Sequence, residues 1–375
     1  MKIRSLIFIL AIFCLAPFSC TKDHSVEPIP LNNDIIVTVK KWYKDHKAAV
    51  SITYDAFWGK DDPYYHDKFR TAENEVSTRH LRMDFEMVTA WYDYPDNQLR
   101  QAQLAEMREK EIPAGVHFFG HGHHHIKYDD VSADSAYADF KRCFDLMTQW
   151  GLQPKAYAYP GNGGRLERTQ KANKDAGFIC ARGATTNKNK FYLCSDTNTE
   201  PENWYYLTAI PASLGIEGHV HGHSEMESIF NTALNKNSWI ILMYHNIGIE
   251  NGYAYYPFAD FLQDIDQIQS QDFWSGNMDD VALYIREKNN FSFDYDFLNR
   301  DNQKIAYKVR FNDDYDNKIY NQPLTLSLTL NSEGIFQNCS FDPPVSEVDT
   351  MQLQDNTVEF DIVPDEKEYI LTFYK

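Results

Sequence analysis

Apolar, strand-like runs alternate with helix-like stretches between residues 47 and 288, and this alternation constrains the fold more than any other feature. The clearest run is Trp239–Tyr244 (WIILMY), which is followed at once by His245. Lys47–Tyr54 is a second such run, and Asp55 follows it. Strands that alternate with helices build a parallel sheet whose site lies at the carboxyl ends of the strands. We therefore predict an α/β fold, a distorted (β/α) barrel of about seven strands.

The other elements of the barrel follow from two patterns, apolar β-branched runs for strands and apolar residues at three- or four-residue steps for helices. The further predicted strands are Arg82–Trp91, Ile112–Phe119, Lys155–Tyr159 and Phe178–Ala181. The predicted helices are Gln98–Lys110, a helix capped by Ser132 and reaching about Gly151, Arg165–Ala176, Met226–Leu234, Phe258–Ile268 and Met278–Lys288.

The pattern changes after residue 296, where strand-like runs are separated by Asn, Asp, Gly and Pro and no helix pattern occurs. The predicted strands are Ile305–Phe311, Leu324–Leu330, Val358–Val363 and Glu368–Tyr374. We predict a barrel domain over residues 34–296 and a small antiparallel, all-β domain over 297–375. We expect the β domain to pack on the barrel; glycan binding is the alternative.

The N-terminus has the features of an export leader. Lys2 and Arg4 precede the apolar segment Ser5–Pro17, which is too short for a comfortable membrane span. A small residue before Cys20 indicates lipoprotein processing, which would remove residues 1–19 and lipidate Cys20; a plain cleaved signal is the alternative. Residues 20–33 are polar and predict a tether. We therefore expect an exported protein that touches the membrane of the cell envelope, at the outer membrane or cell surface, only through its lipid anchor.

The composition argues against two classes of partner and one class of metal site. The net charge is −18 and becomes −20 without Lys2 and Arg4, which disfavours binding to nucleic acid or to anionic lipid surfaces. The four cysteines beyond the leader show no C-x-x-C spacing, so the sequence does not support a zinc ribbon. Whether Cys180 and Cys194 form a disulfide stays open at this point.

Five histidines occur in the nine residues from His117 to His125, directly after an apolar run. His121 and His125 stand four residues apart, which brings two imidazoles to one face of a helical turn or tight loop. Neutral imidazole is the commonest protein ligand for a divalent transition metal. The sequence therefore predicts a metal site at His121 and His125, for zinc or, alternatively, cobalt or nickel.

Four short motifs follow one another in the order that a known family uses. They are Thr53-Tyr54-Asp55, His121-x-x-x-His125, Tyr157-Ala158-Tyr159-Pro160-Gly161 and Leu242-x-x-His245. In these motifs, residues 45–290 resemble the NodB-type polysaccharide deacetylases, carbohydrate esterase family 4. The resemblance implies a (β/α) barrel of that type and a metal-dependent hydrolase that removes N- or O-acetyl groups from a glycan.

The resemblance also implies roles for individual residues. Asp55 corresponds to the base that takes a proton from the attacking water, and His245 to the acid that protonates the leaving group. His121 and His125 correspond to metal ligands. Tyr159 and Pro160 belong to the motif that lines the substrate groove, and a backbone N–H near Tyr159 is expected to bind the oxyanion.

The sequence departs from the family pattern at the third metal ligand, because Ala56 stands where the family has a second aspartate. Alanine cannot bind a metal, and catalytic zinc sites usually have three protein ligands. The candidates for the replacement are Asp61, Asp62, His123, the run His219–His223, and Asp55 itself. A catalytically inactive protein that binds glycan in the same groove is the alternative function.

A second departure concerns the arginine that often precedes the proline of the third motif, where this chain has Ala158. Arg182, at the end of the next predicted strand, is our candidate to replace it and to orient Asp55 beside the substrate. Aromatic side chains near the motifs are expected to pack in the core, and as the alternative they are candidate platforms for sugar rings. They are Trp58, Tyr64, Tyr65, Trp91 and Tyr159.

Overall fold

The computed structural model describes residues 34–55, 58, 63–347 and 349–375. The predicted leader, the tether and Cys20 lie outside the described residues, and so do Ala56, Asp61 and Asp62. The side chains of Tyr64 and Tyr65 also lie outside the description. The predictions made for these residues stay predictions.

The described residues form eighteen strands and eight α-helices. The strands are β1 (Ile35–Val39), β2 (Ala48–Tyr54), β3 (Met83–Met87), β4 (Val116–Gly120), β5 (Ala156–Ala158), β6 (Cys180–Ala184), β7 (Leu207–Pro211), β8 (Trp239–Tyr244), β9 (Asn246–Ile247), β10 (Tyr255–Tyr256), β11 (Phe273–Ser275), β12 (Ser292–Arg300), β13 (Lys304–Asn312), β14 (Leu324–Leu330), β15 (Asn338–Asp342), β16 (Met351–Gln352), β17 (Thr357–Ile362) and β18 (Glu368–Tyr374). The helices are α1 (Pro63–Thr78), α2 (Gln98–Glu106), α3 (Ile112–Ala114), α4 (Ala133–Gln149), α5 (Glu167–Ala176), α6 (His223–Asn235), α7 (Phe258–Ser270) and α8 (Met278–Asn290).

Seven parallel strands, β2 to β8, lie side by side in sequence order, and β8 pairs with β2 to close a barrel. β11 pairs with the first residues of β2, and β3 pairs with its last residues. Helices between the strands cover the outside, as parallel connections require. The predicted barrel of about seven strands is confirmed.

Alternate residues of each barrel strand face the interior, because successive side chains of a strand point to opposite faces. On β3, Met83, Phe85 and Met87 pack in the apolar core under the helices. The interior therefore receives Asp84 and Glu86, two acidic residues on one strand.

Some predicted boundaries are wrong, and local geometry explains them. The strand predicted at Ile112–Phe119 begins only at Val116, because Pro113 lies in the first turn of α3 and Gly115 ends α3 with a φ of +97°. The strand predicted at Arg82–Trp91 ends at Met87 and continues as a 3₁₀ turn. The prediction missed β7 and β11.

The C-terminal part is a sandwich of two antiparallel sheets, with strand orders β1-β14-β17 and β12-β13-β18-β15-β16. Phe311 and Phe341 of one sheet contact Phe360 of the other, with ring centroids 5.9 and 5.1 Å apart. β1 pairs with β14 of the sandwich, and β12 extends across residue 297, where the predicted boundary between the domains lies.

The sandwich packs against α8 and the end of the barrel beneath it. Tyr284 of α8 donates a hydrogen bond to the Lys40 carbonyl at 2.9 Å, and Glu287 accepts one from the Gln322 N–H at 3.1 Å. This packing agrees with the expected role of the β domain.

Two further findings concern the helices and the cysteines of the described residues. None of their helices combines the length and the apolar character that a membrane span needs. Cys180 and Cys194, whose pairing the sequence left open, are both buried free thiols.

Candidate metal centre and active site

Three side chains meet at the carboxyl ends of β2, β3 and β4. We call Asp55, Glu86 and His121 the upper cluster: one potential ligand atom from each lies within 4.8 Å of the others. The backbone N–H groups of Asp55 and His121 still continue the sheet, donating to the Tyr244 and Met87 carbonyls at 2.8 and 2.9 Å. The sheet of the barrel therefore fixes the backbone positions of Asp55 and His121.

The His121 ring is held in the tautomer that a metal needs. Its Nδ1 lies 2.9 Å from the Ala158 carbonyl, which can only accept, so Nδ1 carries the proton and Nε2 presents a lone pair. Burial lowers the pKa of His121 to about 3, which keeps the ring neutral near pH 7. Nε2 faces Glu86 Oε2 at 3.1 Å.

The donor atoms fit a divalent cation between them. A neutral Nε2 and an ionised carboxylate oxygen are both acceptors, so only a proton or a cation makes their proximity favourable. Ligands bound at about 2.1 Å to one zinc ion are themselves roughly 3.4 Å apart, close to the distance between His121 and Glu86. The chemistry of the set, imidazole plus carboxylate, is that of zinc and related metals.

The charges around the upper cluster also favour a bound cation. Burial raises the pKa of Glu86 well above its ordinary value, and the charge of Asp55 raises it further. Arg182 opposes this shift but is already in contact with Asp55. Two buried carboxylates thus share one guanidinium, and a divalent cation would balance the second.

Glu86 was missed by the sequence analysis, although it offers the carboxylate that Ala56 cannot supply. It lies inside a predicted strand rather than after one, so it was assigned to the sheet. The signal that could have found it is its position two residues after Asp84, on the interior face and next to the end of β2.

His125 lies beside the upper cluster, with its ring centroid 4.9 Å from that of His121 and stacked against Trp91. His123 is not a third ligand: its Nδ1 lies 3.0 Å from Thr89 Oγ1. His124 is turned away as well, with its Nδ1 2.7 Å from Asp139 Oδ2.

The histidines of the second run also have different surroundings. His219 lines the cavity above the cluster, with its Nδ1 2.8 Å from Ser213 Oγ. His221 contacts the Ile216 carbonyl and His223 contacts Asp264, each at 2.8 Å. None of the three belongs to the upper cluster, and the candidacy of this run as the third ligand stays a prediction.

Asp55 is held between Arg182 and His245. The guanidinium of Arg182, which is only 1% exposed, contacts Asp55 Oδ1. Burial is the largest influence on the pKa of Asp55 and would raise it, but the charge and hydrogen bond of Arg182, together with His245 and His121, outweigh burial; the net shift is downward, so the carboxylate stays ionised. His245 Nε2 lies 3.9 Å from the other oxygen, Oδ2.

Two buried nitrogen atoms at this place have no hydrogen-bond partner among the described residues: Arg182 Nε and His245 Nδ1. Buried polar atoms are almost always paired, and exceptions concentrate where a ligand or water belongs. Burial lowers the pKa of His245, and the charge of Asp55 opposes that shift.

A cavity of about 570 Å³, the first cavity, lies over these residues. Tyr159 lines it, but its ring is only 3% exposed and packs among Phe140, Tyr157 and Tyr206, so it is not a sugar platform. Its N–H donates to the Arg182 carbonyl at 3.0 Å and is therefore engaged in the sheet.

Pro160 is buried at the start of the 3₁₀ turn Pro160–Asn162. The turn contributes to the wall of the first cavity through Gly161 and Asn162, which follow Pro160 directly. In this segment the wall of the first cavity is therefore formed by those two residues, and the predicted substrate contact of Pro160 stays a prediction.

The aromatic residue exposed at the cavity differs from those that the sequence suggested as sugar platforms. Trp58 is fully buried and donates to Glu73 at 2.9 Å, so it is a core residue and not a sugar platform. Tyr253, which the sequence analysis passed over, is 71% exposed at the rim of the first cavity. Its ring packs edge-on against His245 with centroids 5.2 Å apart.

No family model matches the sequence, and no curated protein matches it. Among solved structures, the chain is similar to a protein from Mycobacterium smegmatis assigned as a polysaccharide deacetylase, at 13% identity over 67% of this chain and 94% of that one, with a TM-score of 0.48. It is similar to the carbohydrate deacetylase Agd3 at 8% identity over 89% and 66%, with a TM-score of 0.47. The allantoinase Puue overlaps at 13% identity over 65% and 92%, with a TM-score of 0.42. With identities of 8–13% and TM-scores below 0.5, these likenesses assign no function, and the function is therefore argued from the side chains of the site.

Proposed function

We propose that this protein is a metal-dependent carbohydrate deacetylase that hydrolyses N- or O-acetyl groups on a glycan. The observation that carries the proposal is the upper cluster, in which Glu86 offers the carboxylate beside His121 that Ala56 cannot. The order of the four sequence motifs supports the same class of reaction.

Glu86, His121 and His125 are the residues that would hold zinc, cobalt or nickel, which leaves Asp55 free to act as a base. A bound metal would polarise the acetyl carbonyl and acidify a water molecule. The remaining chemistry belongs to the side chains around it.

Asp55 accepts the proton of the attacking water. Arg182 fixes the orientation of that carboxylate and keeps it ionised, since its guanidinium contacts one oxygen and lowers the pKa of Asp55 against the effect of burial. The other oxygen faces His245 at 3.9 Å. His245 is therefore in place to return a proton to the leaving nitrogen or oxygen of the sugar.

The N-terminal pattern suggests where the reaction takes place. Export by the leader and lipidation of Cys20 would tether the barrel to the cell envelope through residues 20–33. The net charge of −18 disfavours binding to nucleic acid.

The test is metal content followed by acetate release. The chain from residue 34 onward is loaded with zinc, cobalt or nickel, desalted, and compared with Glu86→Gln and with His121→Ala/His125→Ala. We expect one metal per wild-type chain, none in either variant, and acetate release from an acetylated glycan that a chelator stops. Wild type without retained metal would overturn the proposal. Metal retention without acetate release from any glycan tested would favour the inactive, glycan-binding alternative.

A further inference from the structure

The loop that joins β13 to β14, residues 313–323, lies on the C-terminal part of α8. Asn290 donates to the Tyr315 hydroxyl at 2.7 Å, and Arg286 donates to the Tyr320 hydroxyl at 3.4 Å. The rings of Tyr315 and Tyr320 stack with their centroids 4.1 Å apart. The loop is therefore held against the barrel, and the side chains beneath it are enclosed between the barrel and the sandwich.

Two carboxylates are enclosed there. Glu287 of α8 is 0% exposed, and Asp313, the first residue of the loop, is 2% exposed. The Gln322 N–H lies 3.2 and 3.1 Å from the two oxygens of Glu287, so a single donor serves both. An ionised carboxylate is strongly unfavourable in a buried place unless a cation or several donors compensate it.

The two oxygens of Asp313 have different surroundings. Oδ1 accepts from the Tyr315 N–H at 2.9 Å. Oδ2 is buried and has no hydrogen-bond partner among the described residues. Buried polar atoms are almost always paired, and exceptions concentrate where an ion, a water molecule or a ligand belongs. Oδ2 therefore marks a place for a partner that the chain itself does not supply.

The electrostatics show that Glu287 and Asp313 act on each other. Burial raises the pKa of Glu287 to about 8, and the charge of Asp313 is the next largest cause. Lys155 opposes this shift, but its ammonium donates to Asn321 Oδ1 at 3.4 Å and forms no ion pair with either carboxylate among the described residues. Two neighbouring buried carboxylates thus lack a cation in contact with them.

The available donor atoms select the kind of cation. Carboxylate oxygens are hard ligands, which suit calcium and magnesium, whereas zinc prefers sites that include imidazole or thiolate. Calcium accepts about six to eight oxygens in flexible geometry, so backbone carbonyls of a loop and water can complete a set that two carboxylates begin. Magnesium requires a nearly ideal octahedron and keeps more of its water.

We propose that Glu287 and Asp313 bind a calcium ion between the barrel and the sandwich. The ion would neutralise both carboxylates and fasten the loop 313–323 to α8. This site is separate from the upper cluster and does not depend on the proposed function. It gives the sandwich a role beyond packing, because calcium would then control how firmly the two domains are joined.

The experiment uses the chain from residue 34 onward, which contains the whole barrel and sandwich, with His121→Ala/His125→Ala so that the upper cluster takes up no ion. This parent protein is stripped with EDTA, moved into chelator-free buffer and titrated with calcium chloride by calorimetry. Asp313→Asn and Glu287→Gln remove one charge each and keep the size of the side chain. Asp296→Asn, an exposed carboxylate on β12, is the matched control.

We expect the parent to bind one calcium ion per chain with a Kd of roughly 10⁻⁶–10⁻³ M. Calcium at about 100 times the Kd should raise its Tm by about 3–8 °C. Asp313→Asn and Glu287→Gln should each weaken calcium binding by about tenfold or more and remove most of the rise in Tm. Asp296→Asn should behave as the parent.

The Tm without calcium separates loss of a ligand from damage to the fold. An amide no longer places an uncompensated charge under the loop, so each variant should unfold at the temperature of the calcium-free parent or higher. A parent that takes up no calcium would overturn the proposal, because protons would then balance the two carboxylates. Calcium binding that both variants retain would also overturn it, because the ion would then lie elsewhere.

The two variants change opposite sides of the interface, so one that fails to fold leaves the other as the test. If neither folds, the titration of the parent still decides whether calcium binds. No step of this experiment requires acetate release, so failure of the proposed function would leave its outcome unchanged.

Discussion

The two ends of the barrel carry clusters with the same composition, two carboxylates and one imidazole. The upper cluster consists of Asp55, Glu86 and His121; we call Asp84, His117 and Asp279 the lower cluster. Both use the interior faces of the same two strands, because Asp84 and Glu86 are two residues apart on β3 and His117 precedes His121 by four on the β4 segment.

The clusters differ in how their atoms are paired. In the lower cluster, Asp84 accepts from the Met278 N–H at the start of α8 and from the Asn277 side chain, each at 2.9 Å. Burial opposes protonation of His117, yet Asp279, 2.9 Å away, raises the pKa of His117 to about 10. The imidazole is therefore a cation that balances its neighbours.

In the upper cluster the imidazole is neutral, and its partners are two carboxylates with one guanidinium between them. The upper cluster also lies under a cavity of about 570 Å³, whereas the cavity beside His117 holds only about 40 Å³. The comparison teaches that the same residue types can stand in two different electrostatic states. We expect a metal only where the histidine is neutral and the carboxylates are not saturated by hydrogen bonds.

The largest effect is expected from replacing a carboxylate of β3 with the corresponding amide. Glu86→Gln removes a proposed ligand and should abolish metal retention, with a loss of roughly 100-fold or more in kcat/KM. Asp84→Asn, two residues away, should keep the metal and reduce only the free energy of unfolding, because its partners are backbone and amide groups. Metal per chain after desalting distinguishes the two, and loss of metal in Asp84→Asn alone would invert our assignment.

Arg182→Lys tests the positioning of the base and should have the next largest effect. Lysine keeps the charge beside Asp55 but cannot present a planar pair of donors, so we expect about a 10- to 100-fold fall in kcat with the metal retained. Arg286→Lys, a guanidinium that donates to the Ile179 carbonyl far from Asp55, is the control. Activity in Arg182→Lys equal to wild type would contradict the positioning role.

The fold was predictable from sequence where local patterns were strong. The predicted strands Trp239–Tyr244 and Leu324–Leu330 match β8 and β14 to the residue. β1 was not predictable, because its partner β14 lies almost 300 residues away and no local pattern indicates such a pairing. The helical turn at Ile112–Ala114 was missed because its apolar residue looked like the start of a strand.

The candidate site was predictable only in part, for a related reason. Asp55, His121 and His245 follow apolar runs, so strand order brings them to one end of the barrel, and the structure does place them together. Arg182 contacts Asp55 across the barrel. The order of the strands suggested this contact but did not determine it. Glu86 was missed because its importance arises from closure of the barrel and not from its neighbours in sequence. The roles of all these residues remain predictions.

A smaller effect is expected in the pH dependence of stability, which should differ between the two clusters. Because the pKa of His117 is raised from 6.5 to about 10, its contribution to stability is complete below about pH 6.5 and is lost as the pH rises toward 10. The contribution should be about 1.5–3 kcal/mol, as for a hydrogen bond between charged groups.

The measurement is the free energy of unfolding of wild type and His117→Gln in urea, between about pH 6 and pH 10. The difference between the two proteins should shrink as the pH rises through this range. His121→Gln should show no such convergence, because the pKa of His121 is lowered to about 3 and its ring is neutral throughout. A constant difference for His117→Gln would contradict the ion pair.

The smallest effect is expected at the rim of the first cavity, at the end of the barrel that carries the upper cluster. Tyr253 exposes 71% of its surface beside His245 and touches neither carboxylate of the upper cluster in any hydrogen bond of the described residues. A sugar stacked on its ring would gain about 0.5–1.5 kcal/mol, so Tyr253→Ala should raise KM by roughly 2- to 10-fold. Because the ring contacts substrate equally before and during the reaction, kcat should stay unchanged. Tyr253→Phe keeps the ring and should behave as wild type, and a fall in kcat in either variant would mean that Tyr253 acts through His245 instead.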